Sequence, residues 1–322
     1  MKKAVARLRR IGILGLNQRN AEYTLIYNRR SLYPLVDDKL KTKALALKAG
    51  LSVPELYGVI RSEYQIRHKL YDILGAHPDA VIKPSKGSGG NGIMVLAGRF
   101  RDRYRTVGGT ILEGEEVGYH VSNILSGMYS LGGQPDNAMI EYRVQFDPIF
   151  ERISYMGVPD IRIIVFQGFP VMSMVRLPTR DSKGRANLHQ GAIGAGIDIA
   201  TGVTGSAVWK NMIIDEHPDT YESVRDVVIP HWDQLLRLAA GCYELTGLGY
   251  MGVDIVLDKV RGPLILELNA RPGLSIQIAN QRGLLPRLRC IENRSGAMPG
   301  VEERVTFSKE VFRKDGSCNP DN

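Results

Sequence analysis

The stretch VIKPSKGSGGNGIMVL, residues 81–96, constrains the fold most. Apolar runs flank a glycine-rich loop, which predicts a strand over 80–84, a turn over 85–92 and a second strand over 93–98. Gly87, Gly89 and Gly92 satisfy G-x-G-x-x-G, but a dinucleotide fingerprint must open a helix, and this loop runs into a strand. A P-loop is excluded too, because Ile93 and Met94 stand where Lys and Ser or Thr would be needed. What remains is a hairpin flap. Glycines at 87, 89 and 90 carry no Cβ, so backbone N–H groups could approach a phosphate. Lys83, on the incoming strand, could add its charge to the same anion. From these residues alone, a flexible hairpin with a surface lysine weighs equally.

A second segment, GPLILELNARPGL (262–274), reads as a buried strand with two polar interruptions. Side chains alternate along a strand, so Glu267 and Asn269 share a face. YMGVDIVL (250–257) and PLILELN (263–269) form a hairpin around DKVRG, which brings Asp254 beside them. Two carboxylates and an amide oxygen are hard donors that suit Mg²⁺. The other reading is an Asp–Arg or Glu–Lys pair. Three donors ahead of a sharp ARPG turn favour the metal. A third segment adds Asp160 and Arg162 on one face of a strand. The loop DSKGRANLHQGAIGAG then places Arg185 and Asn187 where they could fold over a triphosphate. His189, in that loop, is read as a loop hydrogen-bonder with no catalytic role.

With 322 residues, 43% hydrophobic and 24% charged, the chain has the composition of a soluble globular enzyme. It has no apolar run long enough to span a bilayer. The basic start MKKAVARLRRIGILGL lacks the features of a secretory signal, and a transit peptide has lower odds. The net charge of +8 is concentrated at Lys2, Lys3, Arg7, Arg9, Arg10, Arg19, Arg29 and Arg30. No nucleic-acid motif accompanies it, so it predicts a solvated basic face and no specific nucleic-acid partner. Cys242, Cys290 and Cys318 are odd in number and lack metal-ligand spacing. That fits a reducing cytoplasm and not a disulfide framework. Asp37 is expected to cap a helix that Gly50 ends, and EEVGYHVSNILSGMYSL (115–131) has helical periodicity. The last thirty residues read as a polar, irregular, mobile tail. The fold class is α+β with largely antiparallel sheets.

In the order Lys39, Lys83, flap, IEY, DIR, RANLHQG, GVDI, LELNARPG, the chain resembles the ATP-grasp superfamily of carboxylate–amine ligases. The RimK-related α-L-glutamate ligase-like branch is the most similar, over residues 36–285. The resemblance implies two α+β lobes clasping ATP. It divides the chain into a basic segment (1–35), an N-terminal lobe with the flap (36–138), a C-terminal lobe with the metal site (139–290) and a polar tail (291–322). By the same resemblance, Lys39 and Lys83 contact ATP phosphates, and the backbone of Glu141 and Tyr142 forms the hinge that pairs with adenine. Asp160 lies near the ribose. Arg162, Arg185 and Asn187 serve the phosphates and the reacting centre; Arg271 stands where RimK-like ligases usually carry Ser or Thr, and is expected to steady the acyl phosphate or a substrate carboxylate. Asp254, Glu267 and Asn269 hold two Mg²⁺, for which Mn²⁺ substitutes. The implied reaction is ADP-forming amide synthesis through an acyl phosphate, adding glutamate to a peptide or small acceptor. Ligation of another carboxylate, such as a sugar acid, or a non-catalytic ATP-binding regulator, are the alternatives. Family members carry a longer lobe before the first lysine. The basic N-terminus, a partner protein or an oligomer is expected to replace it at the substrate site.

Overall fold

The computed structural model describes residues 10–87 and 89–313; Lys2, Lys3, Arg7, Arg9 and Cys318 lie outside the described residues. Two antiparallel sheets carry the chain. The first contains β1 (Leu56–Ile60), β2 (Asp79–Pro84), β3 (Met94–Phe100), β4 (Arg103–Thr106), β5 (Ile111–Leu112) and β6 (Ala138–Tyr142), in the order β1-β6-β2-β3-β4-β5. The second contains β7 (Asp160–Phe166), β8 (Phe169–Leu177), β9 (Ile193–Ile197), β10 (Thr204–Trp209), β11 (Met212–Ile214), β12 (Tyr250–Asp258) and β13 (Gly262–Asn269), in the order β11-β10-β9-β8-β7-β12-β13. Together with their helices they make the α+β architecture the sequence predicts.

Alternation along the strands gives each sheet a dry face and a chemical face. In β2, Ala80 and Ile82 enter a core with Leu96 and Ile140. The helix Gly114–Leu125 closes that core with Val117, Val121 and Ile124. Val81 and Lys83 therefore point the other way, into a cleft. The second sheet has the larger core, covered by the helix Trp232–Thr246, which buries Leu235, Leu236, Ala239 and Ala240. Each leucine so buried is worth about 1.5–3 kcal/mol. Gly247, at φ 68°, ends that helix in the left-handed conformation glycine adopts without a Cβ penalty.

Several expectations need correction. Asp38, not Asp37, caps the helix Lys39–Lys48, its side chain accepting from the Leu40 N–H at 2.9 Å. The helix expected over 115–131 ends at Leu125. The lobe boundary expected at 138/139 falls inside the first sheet, because β6 pairs with both β1 and β2. The C-terminal segment is not an irregular tail as far as residue 313. It forms the helix Val301–Val311, which packs on Trp232–Thr246 and β8. The N-terminal segment, expected as a solvated basic face, is from residue 11 on woven into the second core. Leu14 and Tyr23 are both 1% exposed. Tyr23 meets Phe166 edge-on, with centroids 5.6 Å apart. Asn28 accepts from the Tyr250 N–H and donates to the carbonyls of Tyr250 and Ala270. Cys242 is a free, buried thiol, whereas Cys290 is disulfide-bonded, which the odd cysteine count did not predict. Among the described residues no helix is long and apolar enough to cross a membrane.

Candidate functional site

The chemical faces of the two sheets border a cleft of about 1440 Å³. Val81, Lys83 and Glu141 line it from the first sheet, with Gly89, Gly90 and Ile93 from the flap. Met174, Arg162, Asp254, Glu267 and Asn269 line it from the second, with the loop around Arg185 and Asn187.

Register explains the first wall. Val81 lies opposite Glu141, and Lys83 opposite Met139, so Lys83 and Glu141 share the cleft face. Glu141 is 3% exposed and forms an ion pair with Lys83. On its other side Lys43 Nζ lies 2.8 Å from Oε2, and also donates to the Pro54 carbonyl. Burial penalises the Glu141 charge, but Lys83 and Lys43 outweigh it and hold the carboxyl below its usual range. Two lysines on one carboxylate leave a net positive charge at the cleft wall. Lys43 was not singled out in the sequence, although it lies one helical turn beyond Lys39. The hinge expectation shifts. The Tyr142 N–H donates to the Glu55 carbonyl at 2.8 Å, and Glu141 sits between two paired strands, so this backbone is committed to the sheet. The chain crosses to the second sheet at Arg143, Val144, Gln145 and Phe146, which also line the cleft.

The second wall is a row of charge. Met174 faces Arg162, Arg162 faces Asp254, and Asp254 faces Glu267, across β8, β7, β12 and β13. One step along, Asp160 faces Arg176. Arg162 grips Asp254 with both arms, Nε to Oδ1 at 2.7 Å and Nη2 to Oδ2 at 2.6 Å. Arg176 donates to Asp254 Oδ2 at 2.8 Å and pairs with Asp160. Burial disfavours the Asp254 charge, yet Arg162 and then Arg176 overcome it and keep the group well ionised. Burial pushes Asp160 the other way, upward, against Arg176 and with help from the Asp254 charge. Arg176 nonetheless holds Asp160 in an ion pair. Arg176 was missed in the sequence, where it looks like the end of an apolar strand; the β7–β8 hairpin register was the signal that could have found it.

Asp254, Glu267 and Asn269 fit a hard divalent cation in donor type. A carboxylate offers about four acceptor sites; three donors occupy Asp254, leaving room on Oδ1. The Glu267 side chain is 34% exposed, with Lys39 Nζ 3.6 Å away. Asn269 Oδ1 accepts from the Arg271 N–H at 2.9 Å. Among the described residues no three His, Cys, Asp or Glu side chains are grouped for a metal. The set proposed from the sequence is two carboxylates and a carboxamide, and in the structure Asp254 is paired with Arg162 and Arg176 and Glu267 lies beside Lys39, the pairs of the alternative reading.

The flap glycines divide by role. A Cβ on Gly87 would meet Pro84 Cγ at 2.3 Å, so its need is packing. Gly89 and Gly90, at φ 65° and 78°, adopt a left-handed backbone and line the cleft. Lys39 Nζ donates to the Gly87 carbonyl at 2.6 Å, placing it between flap and hairpin. Arg185 and Asn187 line the cleft, as expected of the loop. Arg271 does not. It is exposed, its guanidinium lies 5.0 Å from the Tyr33 ring centroid, and it is not among the lining residues.

The model of a family described as sugar-transfer associated ATP-grasp matches residues 18–293. A curated protein named probable alpha-L-glutamate ligase, from Vibrio cholerae serotype O1, is 24% identical over 237 residues, covering 74% of this chain and 56% of its own length. The chain thus spans about half the length of the curated relatives it matches. Among solved structures, the ATP-grasp ligase PsnB complexed with minimal precursor aligns with a TM-score of 0.40 at 15% identity, covering 77% of this chain and 56% of that one. D-alanine–D-alanine ligase from Bacillus anthracis complexed with ATP gives 0.42 at 13%, covering 87% and 67%.

Proposed function

The chain belongs to the sugar-transfer associated ATP-grasp family, and from that premise we propose that it is an ADP-forming carboxylate–amine ligase. The observation that carries this reading is the pairing of walls. A cationic wall with a glycine flap faces a wall of oxygen donors across one cleft.

ATP would lie in that cleft, its base against Val81, Met174 and Leu266 beside the crossover at Arg143–Phe146. Lys83 would meet the phosphates, its charge kept available because Lys43 shares Glu141. Lys39, Arg185 and the backbone at Gly89 and Gly90 would surround the outer phosphates. Asp254, Glu267 and Asn269 would hold two Mg²⁺, or Mn²⁺, which when bound supply charge against the phosphate oxygens. The substrate carboxylate attacks the γ-phosphorus, ADP leaves, and an amine then displaces phosphate from the acyl phosphate to give the amide. The flap and the Arg185 loop would exclude water from that intermediate.

Glutamate is the favoured carboxylate because of the relative's name, and a glutamyl peptide or small molecule the acceptor. The family's description favours a second reading, a sugar-derived carboxylate. The test is ADP release from Mg·ATP across glutamate, glutamyl peptides, uronic acids and neutral amino acids, with hydroxylamine trapping the acyl phosphate. Hydroxamate formed from glutamate supports the first reading, and from uronic acids alone the second. ADP release without hydroxamate from any carboxylate would refute both.

A further inference from the structure

The loop between β8 and β9 and the flap between β2 and β3 belong to different sheets, yet one side chain joins them. Gln190 Nε2 donates to the Gly89 carbonyl at 3.2 Å. Its other end accepts from Arg185 Nη1 at 3.4 Å. The contact is close on both sides. A Cβ on Gly89 would lie 3.7 Å from Asn187 Nδ2, and one on Gly90 3.8 Å from Arg185 Cδ. The amide orientation is forced by chemistry, because a guanidinium only donates and a carbonyl only accepts. A carboxamide satisfies both at once, whereas a carboxylate cannot donate and a lysine cannot accept.

Gln190 is also presented on a fixed support. It ends the 3₁₀ turn Leu188–Gln190, which Asn187 caps by accepting from the His189 N–H at 3.0 Å. Gly191, at φ 100°, stops the turn, and its carbonyl accepts from Thr179 Oγ1 at 2.8 Å and Trp209 Nε1 at 2.9 Å. The second sheet thus holds the carboxamide out to the flap.

We propose that Gln190 is a positioning residue that couples the flap to Arg185, so that the two engage a bound triphosphate as one unit. The inference rests on the ligase reading for what the unit encloses, but the coupling itself does not. Two variants separate its halves. Gln190→Ala removes both bonds. Gln190→Glu keeps the acceptor for Arg185 and replaces the flap donor with a repelling oxygen. Backbone ¹⁵N order parameters at Gly89 and Gly90 are measured first in the nucleotide-free protein. Both variants should lower them from the rigid range of about 0.85 towards the flexible range below about 0.6, because the Gly89 carbonyl loses its tether. Melting temperature serves as the control for global unfolding. Affinity for a non-hydrolysable Mg·ATP analogue is then measured for Gln190→Ala, Arg185→Ala and the double variant. Their effects should be non-additive, the second substitution adding little to the first. Unchanged order parameters in both variants, or flap order kept in Gln190→Glu, overturns the coupling, and so does full additivity in analogue affinity. If wild type bound no analogue, the ligase reading would fail while the nucleotide-free order parameters still decided the coupling.

Discussion

The two walls of the cleft present charge in opposite ways. On the flap wall the cations exceed their carboxylate, with Lys43 and Lys83 sharing Glu141, and Gly89 and Gly90 present backbone to the cleft. On the hairpin wall nearly every charge is already matched, with Arg162 and Arg176 interlocked with Asp254 and Asp160. The first wall is left wanting an anion. The second is assembled before anything arrives, and only its outer donors, Glu267 and Asn269, look into the cleft uncommitted by a tight ion pair. Position in the sheet sets the difference, since β12 is flanked on both sides and β13 is an edge strand.

The largest effects should come from breaking the interlocked wall. Asp254→Asn leaves Arg162 and Arg176 facing a neutral amide in a buried site. Breaking a buried pair costs about 3–5 kcal/mol, so urea unfolding should shift by that order. The same loss is not expected at the neighbouring Glu267. Glu267→Gln should unfold within about 1 kcal/mol of wild type, because its partner Lys39 is distant and the site partly wet. Its Mg²⁺-dependent ADP release should nonetheless fall on the order of 10²-fold. Equal stability losses at the two positions would abolish the distinction between inner and outer donors.

The flap wall should yield binding effects with a smaller unfolding cost, because Lys43 still pairs with the buried Glu141 when Lys83 is removed. Lys83→Ala should weaken ATP far more than adenosine, since the lysine meets phosphate and not base. An equal loss for both ligands in calorimetric titration would point to damage to the sheet. Gly89→Val places a β-branched residue at φ 65°, a strain of roughly 1–2 kcal/mol. The flap should absorb it as weakened ATP affinity, with the urea midpoint little changed.

How much of this was legible in the sequence follows from which signals are local. The flap, the β12–β13 hairpin and the shared face of Asp254, Glu267 and Asn269 follow from alternation and turn residues. Arg176 and Lys43 escaped because what recruits them is a partner on another strand: Asp160 through the β7–β8 register, Glu141 through β6. The two termini were misjudged for a related reason. Arg19, 8% exposed, reads as one more basic residue, yet it donates to the Pro272 carbonyl at 2.9 Å and steadies the turn after β13. Arg304, 0% exposed, lies in what reads as polar tail, with its guanidinium 2.6 Å from Glu244 and over the Tyr243 ring. Charge in a sequence does not announce which arginines a core will take in.

Arg271 gives the smallest expected effect and the sharpest test of that point. Its place two residues beyond Asn269 invites the expectation that it reaches the reacting centre. The turn sends it elsewhere: its backbone N–H caps Asn269, and its side chain spreads over Tyr33 outside the cleft lining. An exposed cation–π contact is worth about 0.5–1 kcal/mol. Arg271→Ala should therefore cost no more than that in urea unfolding. It should leave kcat for ADP release within about 2-fold, since the N–H that holds Asn269 is backbone and survives the substitution. Arg271→Lys should be milder still, because an ammonium can also sit over the ring. A large kcat loss in both variants, with KM for ATP unchanged, would mean that Arg271 swings into the cleft when substrates bind. The outer donors would then gain a cation that the substrate-free arrangement keeps apart from them.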